Sequence, residues 1–132
     1  MSVNIEAYRS LCEELKNCGT TLVAVSKTKP ASEVRALYDL GQRDFGENYV
    51  QELVEKVAIC PEDVRWHFIG HLQSNKVKYI ASFVQLIHGV DSRKLLQEVD
   101  KQGRKIGRRI PCLLQMHVAM EETKFGLDAA EL

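Results

Sequence analysis

The sequence predicts an α/β fold of parallel strands alternating with helices, and three observations predict it. Short apolar, β-branched runs are each followed by a stretch of helical periodicity. Strand ends fall near Lys27, Asn48, Gly70, Val90 and Val118, a period of roughly 20 to 28 residues that suits βα units joined by right-handed crossovers. Polar side chains collect at those ends: Lys27, Glu47 with Asn48, His71, Asp91 and His117. Two architectures share this pattern, an open doubly wound sheet and part of a closed (β/α) TIM-type barrel, whose active sites are built at the strand C-termini. No Gly-x-Gly-x-x-Gly follows the first strand and no Gly-x-x-x-x-Gly-Lys-Ser/Thr occurs, so the common nucleotide-binding forms of the open sheet lose support.

Each element has its own grounds. Ile5, Tyr8, Leu11, Cys12 and Leu15 recur at helical spacing and Gly19 follows as a stop. Residues 21–27, an apolar run ahead of Pro30, read as a strand buried on both faces. Residues 31–40 read as a helix with Ser32 as N-cap and Gly41 as the stop. Residues 44–48 then lead into a helix over 50–59, residues 66–70 into one over 74–83, and residues 85–90 into one over 92–103. Residues 111–118 open a fifth unit.

A chain of 132 residues suits one domain, residues 1–132. With 45% hydrophobic and 27% charged residues it belongs to the globular class and not the disordered one. Eighteen Lys and Arg against 18 Asp and Glu leave no basic surplus for displacing counterions from duplex DNA. The basic run at 102–109 has no interleaved aromatics and reads as a solvated loop at a helix end, so no nucleic-acid partner is expected. No apolar run is long enough to cross a bilayer and residues 1–16 are too acidic for a signal peptide, which predicts a cytoplasmic protein with no membrane partner. Cys12, Cys18, Cys60 and Cys112 form no Cys-x-x-Cys pair and read as reduced, small apolar groups.

Lys27 closes an apolar strand with Val23 and Val25 on its own face, so alternation points it toward a barrel interior. Desolvation there, with Lys29 nearby, favours the neutral amine that Schiff-base chemistry requires; the alternative is a lysine that snorkels from the strand end into water. Asn48 is either a neutral amide donor at a site or, with Gly46, a permissive turn residue. Glu47 either belongs to the site or pairs with Lys29. His67 and His71 are four apart, the spacing of zinc ligands on a helix, but the segment between them reads as strand into loop and no third ligand stands at a readable distance, so no metal site is expected. In a strand one of the two histidines faces the barrel, and His71 is a candidate beside a ligand.

Three segments carry a resemblance: Leu22-Val-Ala-Val-Ser-Lys-Thr-Lys-Pro30, Phe45-Gly-Glu-Asn-Tyr-Val-Gln-Glu52 and Trp66-His-Phe-Ile-Gly-His-Leu-Gln-Ser-Asn-Lys76. They strongly resemble the pyridoxal-phosphate homeostasis proteins, the YggS/PROSC family, and Lys124-Phe-Gly126 with Ala130-Glu-Leu132 extends the match along nearly the whole chain. The resemblance implies a (β/α)8 barrel like the N-terminal domain of alanine racemase. It implies pyridoxal 5′-phosphate as cofactor, carried by Lys27 as a Schiff base, with Asn48 close to the ring's phenolic oxygen and Lys29, Glu47 and His71 around it. It implies cofactor homeostasis with no turnover reaction, because racemisation needs a proton donor on each face of the carbanion and only Lys27 can be nominated. A racemase-like enzyme and a cofactor-free barrel fragment are the alternatives.

The chain departs from the resemblance in length. A closed barrel takes about 200 to 250 residues, whereas five strands fit here, so the chain is expected to be the N-terminal part of a longer barrel protein. The phosphate-binding loops and the arginine facing the pyridine nitrogen have no counterpart in it. An unclosed sheet exposes its edge strands, which predicts self-association through residues 22–25 and 113–116.

Overall fold

The structure is a computed structural model that describes residues 3–118, 126–128 and 130–131. Its elements run α1 (Ile5–Leu15), β1 (Ala24–Val25), α2 (Ala31–Asp39), β2 (Asp44–Glu47), α3 (Val50–Ile59), β3 (Arg65–Phe68), a 3-10 turn (Ser74–Lys76) leading into α4 (Val77–Ile80), β4 (Val84–Val90), α5 (Arg93–Lys105) and β5 (Cys112–Leu114). All neighbouring strands are parallel, in the order β1-β2-β3-β4-β5. That order separates the two architectures. A doubly wound sheet reverses its order at a switch point, whereas strands added one after another by right-handed crossovers put every crossover helix on one face. The chain therefore has the partial (β/α) barrel form, with one helix-covered face and one inner face.

Local chemistry explains the helix ends. Asn4 caps α1 by accepting the Ala7 N–H at 3.0 Å, and Gly19, at φ 65, leaves the helix in the left-handed region. Ser92 caps α5 by accepting the Leu95 N–H at 3.1 Å. At α2 the expected cap is wrong: Pro30 occupies the N-cap position and Ser32 lies inside the first turn. Proline has no amide N–H to satisfy there, so α2 begins at Ala31, as expected, without a side-chain cap. The helix expected over 74–83 is shorter and begins as a 3-10 turn, and the fifth strand spans three residues, followed by an isolated parallel bridge between Met116 and Leu127.

The core lies between the sheet and its helices. Phe45 and Trp66, paired across β2 and β3, pack with ring centroids 5.9 Å apart beneath Val34, Leu53, Val77 and Ile80. Alternation puts Asp44, Gly46 and His67 on the opposite, inner face. There Arg65 forks onto Asp44 at 3.0 and 2.8 Å, Asp44 meets His67 Nε2 at 2.9 Å, and His67 Nδ1 meets His88 Nε2 at 2.8 Å. Burial pushes the Asp44 carboxyl up, but the hydrogen bonds from Arg65 and His67 outweigh it and hold the group below the usual carboxylate range. Two other expectations change. The first strand is not buried on both faces, since Val25 is 55% exposed on the inner face. The basic run is not wholly a solvated loop, because the Arg108 fork donates to the Ala81 and Val84 carbonyls at 2.7 and 2.6 Å.

Candidate functional site

Four of the five residues nominated from sequence lie at or just past the C-terminal tips of β1, β2 and β3, and Lys29 lies four residues past the end of β1. Lys27 follows β1 and is exposed, so the expected burial of its side chain is not found; with Val25 also exposed, the inner face beside β1 is open to water. No hydrogen bond or ion pair engages its ammonium among the described residues. Its backbone is tightly defined. The Ser26 N–H donates to the Gly46 carbonyl at 2.9 Å, the Lys29 N–H closes a turn onto the Ser26 carbonyl at 3.1 Å, and Thr28 between them stands at φ 62.

Glu47 and Asn48 part company. Glu47 is on the helix side, fully buried, where its Oε2 accepts from the Ser26 hydroxyl and from Lys56 Nζ, the latter at 2.9 Å. Its partner is Lys56 of α3 and not Lys29 as the sequence allowed, because alternation turns the last residue of β2 toward the helix layer. Asn48, one residue on, lines a cleft of about 670 Å³ between α3 and the 3-10 turn with α4. Phe68 forms its floor, and His71, Lys76 and Tyr79 line it as well. His71 Nδ1 meets Asp91 Oδ2 at 2.9 Å, so Asn48 and His71 share one cleft while Lys27 and Glu47 stand outside it. Among the described residues no cluster of three His, Cys, Asp or Glu side chains could hold a metal ion.

Among the described residues, two buried side-chain atoms lack a hydrogen-bond partner: Glu47 Oε1 and Asn48 Oδ1. A buried amide oxygen without a donor is uncommon and marks spare hydrogen-bonding capacity. The residues the sequence did not single out are Lys56 and Glu52. They are four apart in α3, a spacing at which ion pairs form on a helix surface, yet Lys56 is 5% exposed. Nothing in the local pattern marks it as buried, since its partners Ser26 and Glu47 come from two strands.

The profile of the family described as the alanine racemase N-terminal domain matches residues 1–132. Among curated relatives, the human pyridoxal phosphate homeostasis protein is 45% identical over 120 residues, 83% of this chain and 43% of that protein. The protein of that name from Aquifex aeolicus is 39% identical over 132 residues, 97% of this chain and 58% of the relative. Among solved structures, PipY of Synechococcus elongatus without PLP superposes with a TM-score of 0.90 at 39% identity, covering 96% of this chain and 60% of that one. PipY with PLP bound superposes at 0.84 with 37% identity, covering 96% and 59%. The chain thus spans about half the length of the curated relatives it matches. It belongs to the family of the alanine racemase N-terminal domain, and the relatives it resembles there are pyridoxal phosphate homeostasis proteins.

Proposed function

We propose that this chain is the N-terminal part of a barrel protein that binds pyridoxal 5′-phosphate as a Schiff base on Lys27 and serves cofactor homeostasis in the cytoplasm without a turnover reaction. The observation that carries the proposal is Lys27 itself: an exposed amine at the tip of the first strand, free of any ion pair among the described residues, on a chain that superposes on a relative holding PLP. When bound, the cofactor supplies an aldehyde, which a primary amine captures reversibly with loss of one water. Among the described residues, Lys27 is the only lysine within two positions of a strand's C-terminal end. Ser26 and Thr28 fix the direction of its backbone, and Asn48 offers its spare amide to a ring hydroxyl. Lys29 adds positive charge near an anionic ligand, and His71, held by Asp91, borders the same end of the sheet. Homeostasis and not turnover is the reading because the curated relatives this chain matches carry the name pyridoxal phosphate homeostasis protein. No described helix is long and apolar enough to cross a membrane.

The test adds pyridoxal 5′-phosphate to the purified chain, follows visible absorbance, reduces with borohydride and maps the added mass, with Lys27→Ala in parallel. Label confined to Lys27 is expected. Label scattered over surface lysines, or none, overturns the proposal. Self-association through the sheet edges belongs to the same reading, supported by the exposure of Val25 on β1 and of Leu113 and Leu114 on β5. A single monomeric mass at high concentration removes that part of it.

A further inference from the structure

The buried cluster behind Lys27 has no role in the chemistry so far described. Lys56 Nζ donates to three acceptors: the Ser26 carbonyl at 2.7 Å, Glu47 Oε2 at 2.9 Å and Glu52 Oε2 at 2.6 Å. An ammonium has three donors, and all of them are used. Glu52 Oε2 also accepts the Thr28 N–H at 2.7 Å, and Glu47 Oε2 accepts the Ser26 hydroxyl. Burial raises the Glu52 carboxyl, but its bonds from Lys56 and the Thr28 N–H outweigh this and hold it below its ordinary range. The two residues that flank Lys27 are therefore both tied, through one cluster, to helix α3. Thr28 stands at φ 62, where a β-branched residue is strained and persists only if its surroundings enforce it.

We propose that Glu52 and Lys56 are the positioning pair of the Lys27 site: anchored on α3, they clamp Ser26 and Thr28 and so hold the left-handed turn that presents the Lys27 amine. Lys27 stays free because its neighbours carry the fixed contacts. The same arrangement gives Lys56 and Lys27 opposite fates, the first buried and fully bonded, the second exposed and unengaged.

The inference rests on Lys27 as the attachment point, and its test separates the two claims. Lys56→Met alone strands the buried Glu47 carboxylate, a change costly to folding in itself, so Glu52 carries the first arm and Lys56→Met is made together with Glu47→Gln. Glu52→Ala is expected to weaken cofactor attachment at Lys27 about tenfold, the factor set by releasing strain of the size found in left-handed non-glycine residues. Glu52→Gln keeps an acceptor for the Thr28 N–H and restores attachment to within about twofold. Thr28→Gly removes the strain, so in its background Glu52→Ala costs less, a coupling that a general loss of stability does not produce. The pair is overturned if Glu52→Ala attaches cofactor as the parent does, if its loss only tracks the unfolded fraction in a urea titration, or if Thr28→Gly leaves that loss unchanged. Should the parent take no label on Lys27, the cofactor reading fails and the clamp is judged on amide exchange. Faster exchange at Thr28 in Glu52→Ala and in the Lys56→Met, Glu47→Gln double variant sustains it, and unchanged exchange overturns it.

Discussion

Gly70, just past the tip of β3, is a position where adding one methyl group should do marked harm. A Cβ built there lies 2.6 Å from the Asn48 carbonyl oxygen, 2.9 Å from its Cα and 3.1 Å from its carbonyl carbon. Every contact is backbone, so no rotamer change relieves it. The Asn48 peptide cannot retreat freely either: the Ile69 N–H donates to the Glu47 carbonyl at 2.9 Å on one side, and on the other α3 begins with Leu53 bonded to Tyr49 at 3.0 Å. Relief requires several tenths of an ångström of strand displacement, and overpacking of that kind costs typically 1–3 kcal/mol, so Gly70→Ala is placed at about 3 kcal/mol. Gly46→Ala is the control. Its nearest neighbour is the Ile69 Cδ1 atom at 2.9 Å, the end of a side chain that can rotate, and the gain of a Cβ in a strand offsets part of the cost, leaving about 1 kcal/mol or less. Urea unfolding of the chain followed by circular dichroism reads the difference: with a slope of about 1.5 kcal/mol per M, Gly70→Ala lowers the midpoint by about 2 M and Gly46→Ala by well under 1 M. A Gly70→Ala midpoint within about 0.3 M of the parent, or a larger loss in Gly46→Ala, would show that the strand tips are looser than the contacts require.

Two further outcomes follow from single side chains. Arg108→Ala removes two charge-assisted hydrogen bonds to the Ala81 and Val84 carbonyls and is expected to cost about 2 kcal/mol in the same unfolding assay, with Arg108→Lys recovering less than half because one ammonium does not span both carbonyls. Burial, and then the charge of His67, push the His88 imidazole below its ordinary value. In the window below about pH 6.5 the unfolded chain then binds more protons at His88 than the folded one, so stability falls as pH falls through it, and His88→Asn flattens that slope in urea midpoints measured from pH 7.5 to 5. A slope unchanged in His88→Asn would assign the effect to another group.

How far the sequence could be read depended on whether an element's partners were local. The βα alternation and most helix limits were legible because they follow from spacing within one segment, as at α1, where Asn4 and Gly19 bracket the apolar stripe. The choice between an open sheet and a barrel was not local. It needed the strand order, and the motif resemblance supplied in the sequence what the pairing of β1 through β5 supplies in the structure. Lys27 illustrates the limit most clearly. Alternation put it on the inner face, and the inner face is where Val25 lies, but the expected burial depended on what covers that face. Conversely, nothing in the local pattern singles out Lys56, and it is the approach of Ser26 and Glu47 at the tips of two separate strands that makes it a buried cation.

The Phe-Gly-Glu-Asn run at the end of β2 shows why one motif cannot be assigned to one task. Successive side chains in a strand point to opposite faces, so Phe45 and Glu47 go to the helix layer while Gly46 occupies the inner face. Phe45 packs on Trp66, Glu47 takes the Lys56 ammonium and the Ser26 hydroxyl, and Gly46 lets Val23 and Ile69 close over the strand. Asn48, where the strand ends, is the one member left with unused hydrogen-bonding capacity at a cleft. Glu47 is fully buried with its Oε2 committed to Lys56 and Ser26, so it braces the backbone beside Lys27, and under the proposed function the direct contact at this strand tip is assigned to Asn48. Under the proposed function, substituting the two should separate: changes at Glu47 act through the stability of the turn, changes at Asn48 through cofactor binding.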